Sequence, residues 1–134
     1  MKVFAPARGQ YVKDAKNNDS MVLTFSYQNS AIMLEGDAEK RVERHVAEEQ
    51  PGTVSLLKIA HNGSTTSTTP ELMAAVQPKF AVISVGAHNT FGHPRMETLE
   101  RLSGANVKTY RTDLDGAVTF YLSHDGVSEV TTPR

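Results

Sequence analysis

Two short, largely apolar runs constrain the fold more than any other feature of this sequence. Residues 54–60 (VSLLKIA) and 80–85 (FAVISV) are rich in aliphatic and β-branched side chains, and each gives way to a polar loop. Runs of this kind are typical of strands that lie inside a sheet and are covered by other layers. They therefore predict an α/β fold with helices packed on a sheet.

The remaining segments fit strands and helices in alternation. Apolar and polar side chains alternate in residues 21–27 and 31–35, which predicts a hairpin that turns at residues 28–30. The preceding residues 11–20 are polar and rich in turn formers, which predicts a loop. Three helices are expected at residues 38–50, from Thr69-Pro70 onward, and at residues 94–104, and two final strands at residues 107–111 and 117–122. The predicted order is β-β-α-β-α-β-α-β-β, a mixed sheet with its helices on one face.

Length and composition limit the possible functions. A chain of 134 residues fits one domain, here residues 1–134. The net charge of −1 excludes a dedicated duplex-DNA binder, so DNA contact would be local, and the absence of cysteine excludes disulfides and thiolate metal sites. No apolar run resembles a signal peptide or a membrane span, so a soluble segment is expected.

Three polar loops that follow predicted strands hold candidate metal ligands. Asp37, His61 and His93 lie on the loops that follow these strands, where open α/β sheets place their sites. Imidazole and carboxylate groups suit Zn²⁺ or Mn²⁺, and a carboxylate can bridge two ions in a hydrolase. A metal site is therefore one interpretation of these three loops.

Each candidate also has a purely structural interpretation. Asp37 is suited to cap the helix that follows, His61 could be hydrogen-bonded structure at a strand end, and His93 could simply lead into a helix. The hydroxyl-rich run 64–69 fits helix capping as well as phosphate contact. Two other histidines are expected to be solvated or in a turn, namely His45 and His124.

Four sequence blocks, in order, resemble one known family. They are NDSMVL with MLEGD (18–23, 33–37), LKIAHNGS (57–64), PKFAVISVG with Asn89 and GHP (78–86, 92–94), and YRTD with DGAV (110–113, 115–118). These blocks are similar to the C-terminal half of metallo-β-lactamase-fold hydrolases, in the ComEC-like branch of DNA-uptake competence proteins. The last block resembles that family's closing hairpin. The resemblance implies half of an αββα sandwich.

The resemblance also implies roles for individual residues. Asp37 would bridge the two metal ions, and His93 would be the last metal-binding histidine in the family's order of motifs. His61 would either bind a metal ion or orient groups beside the metal centre. Ser64 and Asn89 would contact the substrate. The implied activity is metal-dependent phosphodiester hydrolysis during DNA uptake, with Zn or Mn as cofactor, on the extracytoplasmic side of the membrane.

The sequence departs from the family in three ways. Asn62 stands where the motif has a second histidine, and Glu35 stands where Thr is usual, which places a further carboxylate near Asp37. The metal motif His-x-His-x-Asp-His of the family's first half is absent from this chain. The implied metal site is therefore under-ligated, and the chain alone is expected to be inactive.

The missing half generates a prediction about partners. One face of the sheet would be left bare and apolar, over an area larger than monomers usually expose. A homodimer, or a partner chain that supplies the other half of the fold, would cover this face. The alternative function is a non-catalytic remnant that serves as a binding or assembly module.

Overall fold

The computed structural model describes residues 1–6 and 16–132, so the loop predicted at residues 11–20 lies partly outside the described residues. Its main sheet has six strands, namely β1 Lys2–Ala5, β2 Val22–Tyr27, β3 Ser30–Leu34, β4 Leu56–Lys58, β5 Phe80–Ile83 and β6 Lys108–Arg111. A separate hairpin consists of β7 Ala117–Ser123 and β8 Gly126–Thr132. The helices are α1 Lys40–Glu48, α2 Pro70–Val76, α3 Met96–Gly104 and the single turn α4 Thr112–Asp115.

The main sheet is mixed, and its strands lie in chain order. β2 is antiparallel to both of its neighbours, β1 and β3, whereas β3, β4, β5 and β6 run parallel to one another. Parallel neighbours end at the same edge of a sheet, so the loops that leave β3, β4 and β5 meet there. This topology confirms the α/β prediction and gathers three of the polar loops along one edge.

Helices cover one face of the sheet. Alternate side chains of the strands point to this face and pack against α1, α2 and α3 in one core, whose fully buried members include Met33, Val46, Leu57, Leu72, Ile83 and Leu102. The predicted apolar stripe of α1 is confirmed, because Val42 and Val46 are both buried. The start of α2 is also confirmed, since Thr69 Oγ1 accepts a hydrogen bond from Leu72 N and Pro70 is the first helical residue.

The β7–β8 hairpin covers part of the opposite face. Leu56, Phe80 and Tyr110 are buried there against partly buried side chains of the hairpin. The Phe120 ring lies 5.8 Å from the ring of Phe80 and 5.8 Å from that of Tyr110, centroid to centroid. The sheet thus has a second, smaller core above β4, β5 and β6.

The hairpin leaves the β1–β2 end of this face open. Val3 is opposite Leu23 in the register, and Phe25 is opposite Ile32, which places these side chains on the face that the hairpin covers farther along. Val3, Phe25 and Tyr27 are 47%, 40% and 55% exposed. The bare apolar face expected from the sequence is therefore only partly bare.

The prediction that the chain closes with a hairpin around residues 113–116 is wrong. β6 pairs in parallel with β5, and β7 pairs with β8, a strand that the sequence analysis did not predict. Between them Asp115 accepts a hydrogen bond from Arg111 N, and the Arg111 guanidinium pairs with Asp113. These contacts close α4 into a helical turn, which redirects the chain away from β6. The strand β1 was also not predicted.

Two predicted helix starts are wrong by two residues. α1 begins at Lys40, so Asp37 does not cap it, and the N–H of Asp37 instead donates to Ser20 Oγ. α3 begins at Met96, two residues after Pro94. Met96 is 65% exposed rather than part of the core. Thr98 takes the buried position, and its hydroxyl donates to Ser64 O.

No helix in the two described ranges has the length and hydrophobicity of a membrane-spanning segment.

A buried carboxylate joins α1 to the start of α2. Glu43 is fully buried, and its two carboxylate oxygens accept hydrogen bonds from Thr68 N at 2.6 Å and Thr69 N at 2.7 Å. Burial raises the pKa of Glu43 above its usual value, although the two N–H groups act in the opposite direction. Like the capping residue of a helix, Glu43 accepts hydrogen bonds from backbone N–H groups that would otherwise be buried without an acceptor.

We expect Glu43→Ala to lower the free energy of unfolding by about 2–4 kcal/mol, because it leaves two buried N–H groups without acceptors. Urea denaturation followed by circular dichroism measures this change. Glu48→Ala, at an exposed position of the same helix, is the matched control and should change stability by less than about 0.5 kcal/mol. Equal effects of the two substitutions would contradict the role assigned to Glu43.

Candidate functional site

The loops that leave β3, β4 and β5 are joined to one another by backbone hydrogen bonds. His61 N donates to Gly36 O at 3.0 Å, and Arg95 N donates to Gly63 O at 2.9 Å. The 3-10 turn Ala60–Gly63 after β4 is thus held between the residues that follow β3 and those that precede α3. Side chains from these separate loops are brought close together as a result.

The turn after β4 has an unusual backbone that fixes the direction of its side chains. His61, Asn62 and Gly63 all have positive φ angles, of 48°, 53° and 85°. A Cβ atom at Gly63 would lie 2.6 Å from Cβ of Pro94, so only glycine fits this position. The close approach of Gly63 to Pro94 places the His61 loop directly against the His93 loop.

Two of the three candidate ligands, His61 and His93, lie next to each other. Their ring centroids are 5.7 Å apart, and the ring planes are inclined at 66°. Nδ1 of His93 is buried and has no hydrogen-bond partner in the described part of the chain. Desolvation, followed by the neighbouring His61 and Arg95, lowers the pKa of His93. The neutral form, which is the form that binds metal ions, is therefore favoured.

The carboxylate of Glu39, which no sequence pattern indicates as a site residue, lies beside His61. Glu39 Oε1 lies 3.7 Å from His61 Nδ1 and accepts a hydrogen bond from the Thr66 hydroxyl at 3.1 Å. The side-chain amides of Asn17 and Asn18 also donate to the Glu39 carboxylate. With Nδ1 beside Glu39 and Thr66, the Nε2 atom of His61 is the nitrogen left for a ligand, a common arrangement around metal-binding histidines.

Asp37 lies on the loop next to His61 but is not part of a closed cluster. Its side chain is exposed, while the carbonyl of the preceding Gly36 accepts the His61 N–H. Burial lowers the pKa of Lys58, and attraction to the carboxyl groups of Glu35 and Asp37 partly offsets this effect. Asp37 thus lies close enough to interact with the Lys58 ammonium group. The structure thus brings His61 and His93 into contact and leaves Asp37 at their margin.

The residues present do not make a complete metal site. Within residues 1–6 and 16–132, no group of three or more His, Cys, Asp or Glu side chains is close enough to hold an ion. Zinc sites need three or four protein ligands, and the two imidazoles supply only two of them. His93, whose Nδ1 atom has no hydrogen-bond partner among the described residues, fits the donor chemistry of the metal that the resemblance implies, but the full donor set does not fit.

The hydroxyl and amide predicted to contact substrate are engaged within the protein. Ser64 is buried, and its hydroxyl interacts with the Thr66 hydroxyl at 3.0 Å and accepts from Thr66 N. Asn89 braces the loop before α3: its Nδ2 donates to Gly86 O and His93 O, and its Oδ1 accepts from His93 N, each at 2.9 Å. Asn89 therefore positions His93.

The two departures from the family motif have clear structural settings. Asn62 Nδ2 donates to Ser84 O at 2.6 Å, which ties the turn after β4 to the end of β5. Glu35 is fully buried, and its carboxyl group lies beside the backbone of Ala60 and the side chain of Lys58. Burial, followed by repulsion from Glu43, raises the pKa of Glu35 well above its usual value. Burial thus disfavours the negative charge that the sequence places beside Asp37.

Two exposed residues beside the site were also missed at the sequence level. The ring of Phe91 is stacked on the imidazole of His93, with centroids 6.1 Å apart and planes inclined at 14°. Arg95 lies close enough to contribute to the lowered pKa of His93. An aromatic residue within a polar loop was the available signal for Phe91, whereas nothing in the sequence distinguished Glu39 from the other charged residues around α1.

The chain is similar in sequence to several proteins whose names refer to competence or recombination. No protein-family model matches the chain. It is 35% identical over 121 residues to ComE operon protein 3 of Bacillus subtilis. It is 33% identical over 113 residues to Competence protein ComA of Neisseria gonorrhoeae, and 33% identical over 107 residues to Recombination protein 2 of Haemophilus influenzae. These matches cover 89%, 83% and 80% of the chain but only 16%, 16% and 14% of the relatives.

Proposed function

We propose that this chain is a segment of a competence protein and that it takes part in DNA uptake, on the extracytoplasmic side of the membrane. The observation that carries the proposal is the 33–35% identity to proteins named for competence and recombination, which extends over at least 80% of the chain. The chain spans about one sixth of two of these relatives, so it would act as one part of a larger machine.

Within that role, the segment supplies part of a hydrolytic centre of the metallo-β-lactamase type. His61 and His93 would be two metal-binding imidazoles, and Asp37 would approach them from the neighbouring loop. Support comes from the short distance between the two rings, from the lowered pKa of His93, and from its Nδ1 atom, which has no hydrogen-bond partner in the part of the chain that the structure describes. The remaining ligands would come from another polypeptide segment, so phosphodiester hydrolysis requires more than this chain. Glu39 would hold His61 in position.

The open end of the sheet face is the proposed docking surface for a second copy of this chain. Val3, Phe25 and Tyr27 present apolar surface beside the hairpin, and a sheet face of this kind is suited to a twofold contact with itself. Burial of this surface in a dimer would contribute to its stability. In a longer protein, another segment of the same polypeptide would occupy the same surface.

A non-catalytic binding or assembly module is the second candidate. It is favoured by the absence of a third metal donor near His61 and His93 in the described ranges. Asn62, whose amide is committed to Ser84 O, replaces an imidazole that an active site would use. In this alternative the paired histidines serve only to join the loops after β4 and β5.

A chimera tests the proposed role in DNA uptake. The matching segment of Competence protein ComA of Neisseria gonorrhoeae is replaced by this chain, and transformation by marked DNA is counted. We expect the chimera to support transformation and His93→Ala to reduce its frequency at least about tenfold, because one proposed metal-binding imidazole is lost. His45→Ala, on the solvated face of α1, is the matched control and should behave like the parent chimera.

The pattern of results separates the two candidates. Normal transformation with His93→Ala, with the chimeric protein present at parental levels, would favour the assembly module over the hydrolytic centre. Failure of the unmodified chimera to transform, with normal protein levels, would contradict the role in DNA uptake.

Self-association is tested with the chain itself. We expect size-exclusion chromatography with light scattering to give the mass of a dimer, and Phe25→Asp to give that of a monomer, because a charge would be buried in the contact. Tyr121→Asp is the matched control, since Tyr121 is 58% exposed on the outer side of the hairpin. A well-folded monomer for the unmodified chain at micromolar concentration would contradict this proposal.

A further inference from the structure

The loop between β5 and α3 has the composition of a phosphate-facing surface. Residues 86–95 include His88, His93 and Arg95 but no Asp or Glu, in a chain whose net charge is −1. A Cβ atom at Gly92 would lie 3.4 Å from Nη1 of Arg95, so the guanidinium lies beside this glycine. The loop thus places the guanidinium of Arg95 next to the backbone of Gly92, where no side chain would block the approach of a phosphate group.

Phe91 is the apolar feature of this loop, and its ring is largely in water. The side chain is 71% exposed, although aromatic rings are usually buried when a protein can bury them. Its ring is nearly parallel to the imidazole of His93, which Asn89 braces through hydrogen bonds on both sides of its backbone. One face of the Phe91 ring, here called the aromatic platform, therefore packs on His93, whose backbone Asn89 holds in place.

A small cavity opens beside the platform. Its volume is about 200 Å³, and its lining residues are Asn62, Val85, Gly86, Asn89, Phe91 and His93. A cavity of this size is below the range that drug-sized ligands occupy, and it suits a single flat ring. At its edge, Asn62 donates to Ser84 O through Nδ2, while its Oδ1 accepts no hydrogen bond from the described residues. A bound ring with an N–H edge would find an acceptor there.

We propose that this cavity receives one unstacked base of single-stranded DNA, which stacks on Phe91 while an adjoining phosphate contacts Arg95. Aromatic platforms flanked by cationic groups are the usual means by which proteins bind single strands. A duplex does not offer a free base face, so the cavity selects single strands over duplexes. The choice of DNA as the ligand rests on the proposed function; the stacking of a base on Phe91 does not depend on any hydrolytic activity.

The test measures binding without turnover. A short fluorescent oligothymidylate and an abasic strand of equal length and charge are titrated with the chain at low salt, in the presence of a chelator that removes metal ions. We expect the thymidylate to bind about fivefold or more tightly than the abasic strand, which is the low end of what stacking on one aromatic ring contributes. Phe91→Leu should abolish this preference, and Phe91→Tyr should retain it.

Two further variants locate the effect. Tyr121→Leu removes an aromatic ring of similar exposure from the hairpin and should leave the preference unchanged. Arg95→Ala should weaken binding of both strands by a similar factor, because phosphate contacts do not read the base. Circular dichroism establishes that each variant is folded.

The inference is overturned by equal affinity for the two strands, by an unchanged preference in Phe91→Leu, or by the absence of binding to either strand. A failed chimera together with a preference that depends on Phe91 would reject the role in DNA uptake and retain the base-binding cavity. A chimera that supports transformation, together with equal binding of the thymidylate and the abasic strand, would retain the role in DNA uptake and reject the base-binding cavity.

Discussion

The close packing of Gly63 against Pro94 is the contact on which the candidate site depends. Parallel strands bring the loops after β4 and β5 to the same edge of the sheet, but adjacency alone does not fix side chains. The left-handed turn at His61 and Asn62, the glycine without a side chain, and the hydrogen bond from Arg95 N to Gly63 O together lock the two loops. The contact between the imidazoles of His61 and His93 follows from this arrangement.

Three glutamates lie near the loops of the candidate site, and their carboxyl groups differ in burial and in hydrogen bonding. Glu43 is satisfied by two backbone N–H groups and fastens α1 to the loop before α2. Glu35 is fully buried beside Ala60 and Lys58, and its burial raises its pKa. Glu39, only partly buried, receives side-chain donors from three residues and positions His61. The polar network therefore rigidifies the loops on which the proposed function rests.

Much of the fold was predictable because it follows from short-range patterns. Apolar runs predicted β4 and β5, and Thr69-Pro70 predicted the start of α2. The last strands were mispaired because pairing depends on the turn that Arg111 closes with nearby aspartates, a contact that no apolar pattern reveals. At the site, the proximity of His61 and His93 was predictable from strand order, whereas the part played by Glu39 depends on tertiary contacts across more than twenty residues.

The most direct test of this account is the distance between the two imidazole rings in solution. Nuclear Overhauser spectra of the chain should contain a cross-peak between ring protons of His61 and His93, whose centroids are 5.7 Å apart. The rings of Phe80 and Phe120, at 5.8 Å, provide an internal reference of the same length. A spectrum that contains the phenylalanine cross-peak but lacks the histidine one would contradict the claim that these loops form a single site.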